Sequence, residues 1–553
     1  MNKRKVLVIG LDGYEQSFGN AMMEAGELPA LSGLRQQSAT WLLDHGWATR
    51  TGLAWEHFST GLKPEAAQRW SPVYFNSGDY SVRQEGTSLS PFIKELDCKA
   101  VVFDAPYFNL NNVQNTLGIV NWGAHDPGVN TKSRPAQLHT ELTKHFGPYP
   151  AKDWIYGITW QSVEKTQQMR SALVNAVNVR AEASQWLLQK RLPGWDLGIV
   201  VIGEIHSATE AFWHGVDPAH PLHNIASAQP AGEGLRDIYR ATDRLVNQLV
   251  RAFPGVTVIA FSMGGMGRND SDVPCMVLLP EVLYRKSFGQ SLLQSNTDWN
   301  NTVDGIPKLD SDELWSKAVH TQILRTNKTR AQKKNIFGGW FIKAFSKWMQ
   351  LDRAGKILLS SKKPFKLPMD WVPAMRYASF WPKMEAFAVP SFYDGRIRVN
   401  LAGREQQGIV PLARYAEFLD EMEAFLLQCT NMRGEKIIES FERHAGSDPL
   451  LLHPTAADLV IVWCNSPLAI EHPQIGRVGP VPYRRTGGHT GPYGMVYIAN
   501  AGLKPGSYGV SSAFNVAPTI VQLMGESLPG GLSGHSLIDQ DAYSRVILNK
   551  AAV

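Results

Sequence analysis

The chain has 553 residues, 44% hydrophobic and 19% charged, with a formal net charge of +5. That composition excludes a disordered chain, and so small a charge on so long a chain excludes nucleic-acid binding by the molecule as a whole. The length exceeds what a single hydrophobic core organises.

The N-terminus, "MNKRKVLVIGLDG", places three basic residues before an apolar run of only five, Val6 to Gly10, which Asp12 interrupts. This is too short for a secretory h-region, and no run in the chain approaches a membrane span. The four cysteines, Cys98, Cys275, Cys429 and Cys464, are far apart and show no metal spacing. They read as core thiols in a reducing compartment, so a cytoplasmic location is expected.

In chain order, "KVLVIGLDG" reads as a buried strand ending at Asp12, a position that suits a turn or cap as well as a functional carboxylate. "ATRTGLAWEHFSTGLKP" (Ala48 to Pro64) sets Thr51 before Gly52 and a short helix. Its hydroxyl there is either an N-cap or an alcohol placed at the positive end of a helix to attack an anionic ester. "KAVVFDAP" and "DLGIVVIGE" (Asp196 to Glu204) are further buried strands, with helical patterns over Val163 to Arg191 and Gly234 to Phe253. Strands alternating with helices imply a mostly parallel sheet covered on both faces.

Past the strand at Asp196 to Glu204, "GEIHSATEAFWHGVDP" sets His206 and Glu210 four residues apart on one helical face, with Glu204 before them and His214 continuing the face. Metal binding and ordinary polar packing both fit that spacing. The next strand, "VTVIAFS", runs into the glycine-rich "MGGMG", a loop at a strand's carboxyl end with no side chain suited to catalysis. Residues 321–370 carry twelve basic side chains against Asp352 and Asp370, and Phe337, Trp340, Phe341, Phe345 and Trp348 share a helical face. An insertion helix packed on the core and a lid for an acidic or acyl-bearing partner are the two readings of this stretch. Sheet-like sequence resumes at "GRIRVNLAG" and "ADLVIVW". "RRTGGHTGPYG" then presents His489 in a glycine-rich loop, and "VAPTIVQLMG" reads as a helix.

The order of these segments resembles the alkaline phosphatase superfamily, in its type I phosphodiesterase/nucleotide pyrophosphatase and sulfatase-like branch. The resemblance rests on "VIGLDG", the Thr51, Trp55 and Thr60-Gly61 frame, "FDAP", "WGAHDP" (Trp122 to Pro127), "EIHSATEAFWHGVDP" and "LLPEVLYR". It continues through "VPSFYDGRIRVNLAGRE", "TGGHTGPYG" and "APTI". It implies an α/β fold with a central, mostly parallel sheet flanked by helices. The core would run over residues 1–288 and 371–553, interrupted by a helical basic insertion over 289–370. It further implies a two-metal centre with Thr51 as nucleophile. The first metal would rest on Asp12, Thr51 and the Asp-His pair of an "SDHG" loop. The second would rest on the position of His206, on a histidine four residues later, and on His489.

The chain departs from that pattern. "SMGG" stands where "SDHG" is expected, so Met263 and Gly264 replace two ligands, and Glu210 stands in for a histidine. Asp12, His206, Glu210 and His489 are the metal candidates that remain, for one zinc or manganese ion or for none. Thr51 is the candidate nucleophile, with His57, His125, His206 or His489 as base and Arg50 as anion clamp. Three functions follow: a repurposed enzyme for group transfer or elimination, a conventional phosphodiesterase or sulfatase hydrolase, and an inactive binding protein. The expected partner is an anionic small molecule or a carrier-bound one bearing phosphate, sulfate or a related group.

Overall fold

The computed structural model describes residues 4–294 except 112, residues 302–303, 306–307, 309 and 313–324, and residues 366–538 except 445, 447 and 466. The Phe337 to Trp348 aromatic face therefore lies outside the described residues.

The apolar run at the N-terminus forms the strand Val6–Leu11, buried along its whole length. Its side chains alternate between two cores: Leu7, Ile9 and Leu11 enter one, Val6 and Val8 the other. Each such aliphatic side chain, buried on folding, contributes about 1.5–3 kcal/mol. The strand is parallel to Leu197–Ile202 on one side and to Thr257–Ser262 on the other.

Nine strands form the central sheet. From one edge they run Gly506–Ser512, Ser38–Asp44, Gly494–Ala499, Thr257–Ser262, Val6–Leu11, Leu197–Ile202, Ala100–Phe103, Thr116–Val120 and Lys132–Arg134. The sheet is mostly parallel, with Gly494–Ala499 and Lys132–Arg134 the antiparallel members. The long helices Val163–Trp186 and Ala228–Ala252 cover one face; Ala54–Thr60 and Val516–Leu523 cover the other. The α/β architecture expected from the alternating pattern is the one observed.

"GRIRVNLAG" and "ADLVIVW" do not join that sheet. They contribute Gly395–Val399 and Leu459–Trp463 to a separate four-stranded antiparallel sheet with Ala386–Val389 and Ile438–Arg443. A third core lies against it, built with Val73 and Phe75, the Leu279–Phe288 helix, and the described flanks of the 289–370 segment through Leu292, Trp315, Val319 and Met369.

Among the described residues no helix is long and apolar enough to cross a membrane.

Two histidines lie buried under the sheet's C-terminal edge with an unpartnered Nε2 each: His214, whose Nδ1 meets the Thr486 hydroxyl at 3.1 Å, and His220. Burial pushes the His214 imidazole down to about 3 and the His220 imidazole to about 2. Both folded values lie below the unfolded value, so the unfolded chain takes up these protons first. Stability is full above about pH 6.5 and falls as the pH drops toward the folded values, by about 2 kcal/mol for each histidine at pH 5. Thermal melts from pH 7.5 to 5 should show the melting temperature falling in the unmodified protein and falling less in the H214Q/H220Q variant. Equal slopes would refute the assignment.

Candidate active site

The strand Val6–Leu11 ends at Asp12, and two glycines beside it set how closely other elements approach. A Cβ on Gly10 would lie 2.5 Å from the Trp55 ring, and one on Gly13 (φ +70°) would lie 2.5 Å from the His206 backbone. Their absence lets Trp55 and the helix Glu204–Phe212 close on Asp12 from opposite sides. The helix carries His206 and Glu210 on one face, as the four-residue spacing predicts, with His206 Nε2 3.3 Å from Glu210 Oε1.

His489 arrives differently from the sequence reading. Its segment is a strand, Gly487–Gly491, paired antiparallel with Gly265–Arg268, which follows Met263 and Gly264. Glycine content suggested a loop because it ordinarily weakens strands. It is needed because the backbones nearly touch: a Cβ on Gly491 would lie 2.6 Å from Gly265, and one on Gly487 2.1 Å from the Thr209 carbonyl oxygen. The glycine-rich loop thus builds the ribbon that carries His489.

The outcome is a buried cluster. His206 Nδ1 lies 3.1 Å from Asp12 Oδ2, and its Nε2 lies 3.0 Å from His489 Nε2. His125 stacks on His206 with ring centroids 3.8 Å apart, and its Nε2 meets Glu210 Oε2 at 3.1 Å. Burial, then the neighbouring His206, lowers the His125 and His489 imidazoles. Burial raises the Asp12 carboxyl, but His206, with help from a Trp55 hydrogen bond, outweighs it and leaves Asp12 below its usual range. Asp12, His125, His206 and His489 line one cleft with His45, Thr49, Tyr107, Asp126, Met263, Gly264 and Tyr393.

The other sequence-derived candidates sit around this cluster rather than in it. Thr51 is buried, its hydroxyl donating to the Ala48 carbonyl (2.8 Å) and accepting from the Leu53 N–H (3.2 Å); its neighbours Thr49 and Gly52 line the cleft. Arg50 turns toward Glu442 of the small sheet, 3.4 Å away. His57 lies behind His45, with 2.9 Å between its Nδ1 and His45 Nε2, and burial, then His45, holds it well below the usual range. His214 and Glu204, which share the helical pattern, go elsewhere: His214 to Thr486, and Glu204 to the fully buried Arg180.

Sequence reading missed Arg485, Asp272 and Tyr393 as participants. Arg485 donates through Nη1 to Glu210 Oε1 and through Nε and Nη2 to both oxygens of Asp272, at 2.6 Å each. Tyr393, at the turn of the small sheet, packs its ring 4.8 Å from that of His489 and over Gly52. The one available signal was the placement of the Arg484-Arg485 pair four to five residues before His489, in a segment otherwise poor in side chains.

Metal fit can be judged from the donors. Among the described residues, His125, His206 and Glu210 form a group whose ligand atoms all lie within 4.8 Å of one another. His206 Nε2 lies 3.3 Å from Glu210 Oε1, close to the separation of about 3.3 Å between donors of a tetrahedral zinc ion bonded at about 2.0–2.1 Å, whereas His489, though its Nε2 is 3.0 Å from His206 Nε2, falls outside that group. Asp12 on Nδ1 orients His206 as carboxylates orient metal-binding histidines. These residues fit one divalent ion. A hollow of about 190 Å³ elsewhere, beside Tyr415 and Arg443, gathers no comparable acid–base set.

No protein-family model and no curated protein matches the chain. Among solved structures, the chain aligns over 95% of its length with 96% of a phosphonoacetate hydrolase from Sinorhizobium meliloti 1021 in complex with phosphonoformate, at 11% identity and a TM-score of 0.48. It aligns over the same shares with human ectonucleotide pyrophosphatase/phosphodiesterase 5, at 9% identity and a TM-score of 0.46.

Proposed function

We propose that the chain is an enzyme of the alkaline phosphatase type, repurposed to work with at most one divalent ion, acting on a substrate that bears phosphate, sulfate or a related anionic group. The carrying observation is the convergence of the buried Asp12, His125, His206 and Glu210 with the half-buried His489 at the end of the central sheet, from four separate segments of the chain. Burying this many ionisable groups is costly even when they are paired, and it gives a packing element no advantage.

Charge supports the reading. The carboxylates Asp12, Asp126, Glu210 and Asp272 converge on a region whose permanent cations are Arg484 and Arg485, both engaged with Asp272. These four carboxylates outnumber the two arginines, and an anionic substrate needs a further positive charge there. His206, Glu210 and His489 would hold the ion. When bound, it supplies Lewis acidity to an oxygen of the substrate.

The chain's own residues supply the rest. Asp12 fixes the tautomer of His206. Thr51 is the nucleophile in this reading: its hydroxyl leaves the Ala48 carbonyl and attacks the phosphorus or sulfur of the substrate, its proton passes to the His125 imidazole, and the bond to the leaving group breaks, that group departing with a proton. Tyr393 and Tyr107 wall the cleft and exclude water. A conventional two-metal hydrolase is less well supported, because Met263 and Gly264 offer no ligand and Asp12 is already satisfied by His206 and Trp55.

Metal analysis of the protein equilibrated with zinc or manganese should find no more than one bound ion per chain, lost in E210Q and H489A. Two ions with efficient chelator-sensitive hydrolysis of aryl phosphates would overturn the reading. Gly264 has open space where a Cβ would go, so M263D/G264H should raise metal content toward two ions, despite the cost of removing Met263 from the core.

The nucleophile is tested separately. On any substrate found by a screen of phosphate and sulfate esters, T51S should retain part of the activity and T51V should lose at least about a hundredfold, about 2.7 kcal/mol of barrier. Full activity in T51V would assign the attack to water instead.

A further inference from the structure

Arg485 bonds the same Glu210 oxygen that closes the donor set. Glu210 Oε1 lies 3.3 Å from His206 Nε2 and also accepts from Arg485 Nη1. Arg485 is buried and cannot drift off into solvent. Its backbone is held to the helix through Thr486, whose N–H donates to the Glu210 carbonyl at 3.0 Å and whose hydroxyl donates to the Ala211 carbonyl at 3.2 Å.

We infer that Arg485 competes with the divalent cation for Glu210 Oε1, so that the centre holds its ion loosely and exchanges it rather than keeping it as a permanent part of the fold. The inference rests on the one-ion reading above. A guanidinium and a divalent ion on one carboxylate oxygen are two positive charges a few ångströms apart in a poorly solvated site, where repulsion is weakly screened. Each partner has somewhere to go. Arg485 keeps its paired hydrogen bonds to both oxygens of Asp272 when Glu210 turns away, and Glu210 keeps His125 on its other oxygen. Bidentate arginine–carboxylate pairs are strong enough to anchor the guanidinium alone. Exchange between the two arrangements therefore leaves no buried charge unpaired, the condition under which such a swap is inexpensive.

The test is titration of the unmodified protein and of R485M, R485K and R485M/E210Q with manganese or zinc alone, by calorimetry or equilibrium dialysis, with thermal melts of each. R485M should bind the ion at least about tenfold more tightly, equivalent to about 1.4 kcal/mol. R485K, whose ammonium cannot span Asp272 and Glu210 as the fork does, should gain less. The gain should vanish in R485M/E210Q. If R485M fails to fold, R485K decides. Affinity unchanged or weakened in the folded Arg485 variants, while the unmodified protein binds one ion through Glu210, overturns this inference alone. No ion bound by the unmodified protein or by any Arg485 variant overturns the one-ion reading as well. Binding that appears only in the Arg485 variants supports the competition.

Discussion

The site depends on the two nitrogens of His206. Asp12, a carboxylate held below its usual range, meets one of them, Nδ1, at 3.1 Å. The other, Nε2, faces Glu210 Oε1 at 3.3 Å and His489 Nε2 at 3.0 Å. His489 can donate its own proton there or share a cation, and burial prevents it from carrying the charge itself. Stacked against His125, the ring has no other direction in which to turn. The geometry is therefore organised around one imidazole, with Asp12 on its Nδ1 and Glu210 and His489 on its Nε2.

The backbone around this ring is shaped to permit it. Besides Gly13 against His206, a Cβ on Gly157 would lie 2.3 Å from the Ser207 carbonyl oxygen and 2.7 Å from Glu210 Cβ. Residues with side chains at these places would push the helix Glu204–Phe212 away from the sheet and open the contact between His206 and Asp12. Packing and chemistry are thus the same constraint at this end of the sheet: the helix must come close for the apolar side chains Ile205, Ala208 and Phe212 to reach the core, and coming close is what delivers the polar face to Asp12.

Much of this was legible in the sequence. The β-branched runs fixed the parallel strands, because both their faces are buried and no alternation is expected. The spacing of His206 and Glu210 needed only the helical repeat. Three things were not legible, for identifiable reasons. Glycine content hid the strand at His489, since propensity scales record the cost of glycine and not the gain from two backbones in near contact. The separateness of the small sheet could not be read, because period and composition do not say with which strands a segment pairs. Arg485 was invisible because its significance lies in reaching two carboxylates, Glu210 and Asp272, that are remote from it in the chain. The local part of the site was readable, and the long-range part was not.

The small sheet also bears on the chemistry. Its Ser391–Asp394 turn is braced by hydrogen bonds from Ser391 and Arg396 to Asp394, and Arg396 reaches on to the Arg50 carbonyl at 3.3 Å. Arg50 in turn meets Glu442 on the same sheet. The turn Gly46–Thr51, which ends at Thr51, is therefore tied to the small sheet by its backbone and by its arginine, while Tyr393 closes over Gly52 beside it. The central sheet supplies the histidines and carboxylates; the small sheet controls the opposite wall, including the backbone on which the Thr51 hydroxyl depends. A shift of the two sheets against each other would change the distance between attacking group and ion site without altering either one. Tyr393 and the 46–52 turn thus form the wall of the cleft where the two sheets meet, across from the donor cluster.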